Sequence, residues 1–127
     1  MAKHLESGHA AERLARGRLE RRGLVWIASN YRCRLGELDL VMADASMLVV
    51  VEVRYRRHTR MMNPCESLTV GKLRRVALAT RHFLHRHPRW RDAPVRFDVV
   101  AIHGPLEEAR MNWIRGAFTI DDLFDRF

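Results

Sequence analysis

The stretch GELDLVMADASMLVVVEVRYR, residues 36–56, decides the fold. It opens with polar and apolar residues alternating, Glu37-Leu38-Asp39-Leu40, and ends in the most strand-like run of the chain, residues 47–55. Asp44-Ala45-Ser46 between the two reads as a turn. A hairpin turning at Ala45-Ser46 pairs Asp44 with Met47, Asp39 with Glu52 and Glu37 with Arg54. Successive strand residues point to opposite faces. Glu37, Asp39, Glu52 and Arg54 are therefore expected on one face, with Leu38, Leu40, Met42, Val49, Val51 and Val53 on the other.

Working outward, residues 5–22 read as a helix with Ala11, Leu14, Ala15 and Leu19 on one side and Gly23 as its stop. Residues 24–32 are rich in strand formers. Residues 56–68 contain Asn63-Pro64 and read as a loop. Thr69 is placed to cap a helix that runs to about His87, where Pro88 stops it. Its stripe is Leu73, Val76, Ala77, Thr80, Phe83 and Leu84. VRFDVVAI (95–102) is a further strand, residues 111–116 suit a last one, and AFTIDDLFDRF suits a short amphipathic helix. Tight connections make the first three strands antiparallel, and the long helix permits a parallel crossover to the fourth. The expectation is a mixed α/β fold with helices packed on a central sheet. Residues 1–127 would form one domain, with 118–127 a short tail.

The 127 residues carry 23 Lys and Arg against 15 Asp and Glu, a net charge of +8. That excess favours a polyanionic partner, because each phosphate contact releases a counterion. Nucleic acid is the better fit than an anionic membrane, and no apolar run approaches the roughly 20 residues of a spanning helix. Cys33 and Cys65 show no CxxC spacing and read as free thiols. The N-terminus lacks a signal peptide's apolar stretch, so a cytoplasmic location is expected.

The chemistry sits at the hairpin. Directly opposed strand residues have Cβ atoms about 4.5–5.5 Å apart. Carboxylates as close as Asp39 and Glu52 need a cation, a shared proton or a basic neighbour. Mg²⁺ or Mn²⁺ suits such hard oxygen ligands, and could bind a phosphate and activate water. The alternative is an ordinary solvated face, with Glu37–Arg54 as a surface ion pair.

Five stretches resemble the YraN-like family, which is grouped with the PD-(D/E)xK nucleases and is similar to archaeal Holliday-junction resolvases. They are GHAAERLARGRLERRG (8–23), NYRCRLGELDLV (30–41), VVVEVRYR (49–56), ESLTVGKLRR (66–75) and RFDVVAI (96–102). The resemblance implies a restriction-endonuclease-like mixed sheet flanked by helices, with an αβββαβ core. It implies metal-dependent cleavage of DNA phosphodiester bonds, at branched structures in the resolvase-like subgroup. Asp39 and Glu52 would be metal ligands, with the Val53 carbonyl a third. Arg54 takes the lysine position, and Glu12 resembles the extra acidic residue of that subgroup. The chain departs from the pattern in two ways: Leu38 replaces the proline of the superfamily name, and Arg54 replaces lysine. Arginine stays charged and accepts protons poorly, so the motif supports phosphate binding more firmly than turnover.

Lys72, Arg75, His82 and Arg86 fall in one sector of the second helix. With Arg56 and Arg57 they could track a phosphate backbone. Tyr55 points opposite Arg54 by strand parity and reads as structural, as do Trp26, Trp90 and Trp113. His82, His85 and His87 do not converge as zinc ligands would. Two further readings compete with the endonuclease. One is a non-catalytic nucleic-acid-binding module with a degenerate site. The other is a scaffold whose apolar tail (Phe118, Ile120, Leu123, Phe124, Phe127) docks on a partner or a second copy. A homodimer would supply the two sites needed to cut a symmetric junction.

Overall fold

The computed structural model describes residues 2–57 and 68–119, with the side chains of 2–7 left aside. Cys65, the Asn63-Pro64 loop and most of the apolar tail lie outside the described residues. The elements run α1 (Ala2–Arg21), β1 (Val25–Cys33), β2 (Gly36–Asp44), β3 (Met47–Arg56), α2 (Val70–Arg86), β4 (Val95–His103) and β5 (Arg110–Phe118). The strands form one sheet in the order β1-β2-β3-β4-β5. Pairing is antiparallel except between β3 and β4, which run parallel through the α2 crossover. No helix of the described residues is long and apolar enough to cross a membrane.

Thr69 caps α2 by accepting a hydrogen bond from the Lys72 backbone N–H, and the helix ends at His87, just before Pro88. Each helix covers one face of the sheet. Ala11, Ala15 and Leu19 of α1 pack with Leu40, Met42, Val49, Val51, Val100 and Ile102. Val76, Ala77, Ala79 and Phe83 of α2 pack with Leu38, Val41, Leu48, Val50 and Phe97. Val49 and Val51 thus face α1 while Leu48 and Val50 face α2, as strand alternation requires.

The hairpin has the expected register from Asp44↔Met47 to Leu40↔Val51. Beyond that point two expectations fail. Leu38 does not share a face with Leu40 but packs in the α2 core. The cause lies in the neighbouring strand. Asn30 has φ 53, a left-handed conformation that interrupts alternation, and it sits opposite Asp39 between the pairs Ser29↔Leu40 and Tyr31↔Leu38. Nor do the expected pairs Asp39–Glu52 and Glu37–Arg54 form, because the β2–β3 ladder has ended at Leu40↔Val51; Glu37 instead meets its β1 partner Arg32 at 3.3 Å.

Candidate functional site

The break in the ladder builds the site. Past Leu40↔Val51, the Val53 backbone N–H donates to Asp39 Oδ2 at 2.9 Å. The Asp39 carboxylate is thereby fixed at the point where β2 and β3 part. Glu52, the residue before Val53, faces α2 and is only 1% exposed. Lys72, from the first turn of α2, brings Nζ to 3.7 Å from Glu52 Oε2. Glu52 Oε1 has no hydrogen-bond partner. Glu12 enters from α1 and presents a buried Oε2 that is likewise unpartnered.

Asp39 acts on both of the other carboxyls. Burial and then the charge of Asp39 push Glu52 up to about 8, against the pull of Lys72 and Arg54. Burial raises Asp39 as well, opposed first by the Val53 N–H and then by Lys72. Burial and the Asp39 charge lift Glu12 to about 7, and hydrogen bonding from the Asn30 side chain acts the other way. Arg54 is half-buried, acts on Glu52 only at longer range, and has a buried Nε without a partner.

The expected set therefore divides. Asp39 stands beside Glu52 and acts on Glu12, and the Val53 backbone N–H is tied to it. Arg56 ends β3 and Arg57 follows it, both exposed, with Arg56 donating to the Tyr55 carbonyl. Arg75 is exposed on α2. Tyr55 donates to the Gly104 carbonyl on the α1 side, away from Arg54. His82 bonds Tyr31 and His87 bonds the Phe83 carbonyl, each through Nδ1. Two contributors are not legible from the strand pattern: Asn30, and Lys72 as a partner of Glu52 rather than a surface cation.

A divalent cation fits the donor set in part. Two buried carboxylate oxygens without partners are what a cation would satisfy. Yet among the described residues no three His, Cys, Asp or Glu side chains stand close enough to hold a metal ion outright. Two carboxylates, a backbone carbonyl and water would have to share the coordination.

Asp98 shows that this fold can satisfy a buried carboxylate. It lies on β4 beside Val51, is fully buried, and accepts from Arg96 twice, from Trp113 Nε1 and from the Gly116 backbone N–H. Glu52, one residue further along β3, has Lys72 and the Asp39 carboxyl beside it, and its Oε1 is left without a partner.

Residues 11–102 match the model of the uncharacterised protein family UPF0102. A UPF0102 protein of Stutzerimonas stutzeri is 48% identical over 93% of this chain and 98% of its own length. One from Xylella fastidiosa is 45% identical over 96% and 99%, and one from Nitrosococcus oceani 42% over 94% and 97%.

Proposed function

The chain belongs to the uncharacterised protein family UPF0102, and from the geometry of its site we propose that it is a metal-dependent endonuclease that hydrolyses DNA phosphodiester bonds, with branched DNA among its candidate substrates. The observation that carries this reading is the contrast at Glu52. A glutamate with an unpartnered oxygen is kept in the core beside Asp39, in a fold that satisfies Asp98 completely. A buried carboxyl oxygen left without a partner costs stability, and such groups cluster at sites built for a ligand. The mixed five-stranded sheet with a helix on each face supports the same reading.

Asp39 and Glu52, with the Val53 carbonyl, would hold Mg²⁺ or Mn²⁺. Such an ion, when bound, supplies Lewis acidity at the phosphate and an activated water. The Val53 N–H holds Asp39 in one orientation before anything binds. Glu12, from the α1 side, would assist at the same centre. Lys72 is the cation in contact with the pair, and Arg54 adds a second positive charge close by. Both would stabilise negative charge on the phosphate, and arginine at 54 would do so without exchanging a proton. Arg56, Arg57, Lys72 and Arg75 would hold the backbone on either side.

Cleavage of labelled linear, flapped and four-way DNA with Mn²⁺, Mg²⁺ or EDTA tests the proposal. Metal-dependent cutting should be lost in Asp39→Asn and Glu52→Gln, with DNA affinity kept. Binding without cutting under every metal, unchanged in both variants, would instead establish the non-catalytic module. The Lys72–Glu52 contact favours that second reading, because it offsets part of the buried charge without a metal.

A further inference from the structure

Lys72 touches Glu52 on one side and lines a pocket of about 400 Å³ on the other. The pocket opens between the β1–β2 turn and the first turns of α2, with Arg32, Cys33, Gly36 and Glu37 on one wall and Lys72 and Arg75 on the other. The two walls are locked together. A Cβ at Gly36 would lie 2.7 Å from the Arg75 carbonyl oxygen, so the turn can approach the helix this closely only without a side chain. Three cations from two elements face one carboxylate. Arg32 and Glu37 offset each other as an exposed pair, and Lys72 is engaged by Glu52. Arg75 is exposed and takes part in no ion pair among the described residues, so the pocket keeps a net positive charge.

We infer that this pocket is a second phosphate site, holding a phosphodiester of the nucleic-acid strand next to the one at the carboxylates. A phosphodiester has one negative charge and two free oxygens, which Arg32 and Arg75 can grip from opposite walls. The strand itself is taken from the proposed function, but the pocket does not need turnover. It makes the site selective for a polynucleotide over an isolated phosphate ester, and it assigns to Arg32 on β1 a role that the α2 cations alone do not supply.

The test measures binding of a short fluorescent DNA in EDTA, where nothing is cut. Arg32→Ala and Arg75→Ala should each weaken binding about tenfold and lower the salt slope by about one. Arg22→Ala, an equal loss of charge outside the pocket, should change affinity less than about threefold. In a Cys65→Ser background, the DNA should slow alkylation of Cys33 several-fold, and millimolar inorganic phosphate should not. Equal losses in all three arginine variants would overturn the site in favour of a diffuse basic surface. Equal protection by inorganic phosphate would overturn its assignment to a polynucleotide. Pocket-specific losses in a protein that cuts no DNA would uphold the pocket while refuting the nuclease.

Discussion

At the scale of single residues, burial of carboxyls without matching partners makes stability depend on pH. Glu52 is pushed from its ordinary 4.5 to about 8, and Glu12 from 4.5 to about 7. In the unfolded chain both ionise near 4.5, so across the interval the folded protein binds more protons. The stabilisation from holding these groups neutral is complete below about 4.5 and is lost as pH rises through about 7 and then about 8. The midpoint of thermal unfolding in EDTA should therefore fall between about pH 5 and pH 9, and Glu52→Gln should flatten the fall. A flat wild-type profile would mean that Glu52 is not buried as described. Asn30 gives a second prediction at this scale. Its φ of 53 is one that glycine adopts freely and alanine does not. Asn30→Ala should lose about 1 kcal/mol in denaturant unfolding, whereas Asn30→Gly should stay close to wild type. Equal losses would show that the side-chain bond to Glu12, and not the backbone, sets the cost.

At the scale of elements, most of the fold is legible in the sequence because its periodicities are unambiguous. The α2 stripe, the Thr69 cap and the Pro88 stop fix that helix nearly to the residue. The run of residues 47–55 fixes β3, and the turn at Ala45-Ser46 sets a hairpin register that holds through Leu40↔Val51. Legibility ends where one backbone angle decides the outcome. The face change at Leu38 follows from the left-handed Asn30, and Asn between strand formers does not announce it. The Lys72–Glu52 contact depends on how α2 seats on β2, and helical spacing within α2 does not contain that information. Gly36 governs the seating. Gly36→Ala puts a methyl group against the Arg75 carbonyl, where only backbone movement could relieve it. The variant should lose about 1–3 kcal/mol of stability and weaken DNA binding as the pocket walls part. Stability equal to wild type would show that the turn and the helix are free to separate.

At the scale of the whole molecule, β3 and β4 carry two buried carboxylates one residue apart in register, and the fold treats them differently. Asp98 lies in a closed network that joins Arg96 and Asp44 to Trp113 and the β5 backbone. Glu52 lies against α2 with Lys72 at 3.7 Å and one oxygen without a partner. Removing one partner of a satisfied buried ion pair leaves the other charge stranded, so Asp98→Ala should cost about 3–5 kcal/mol. Glu52→Gln exchanges a carboxyl that burial already holds largely neutral for a neutral amide of the same shape, so at neutral pH in EDTA it should leave stability unchanged or raise it. Denaturant unfolding of the two variants side by side separates the roles. A cost at Glu52 as large as that at Asp98 would make Glu52 a structural residue and remove the main support for a metal site. Opposite signs would show a protein that accepts instability at one carboxylate while securing the other, the trade expected where a buried charge is kept for a ligand and not for the fold.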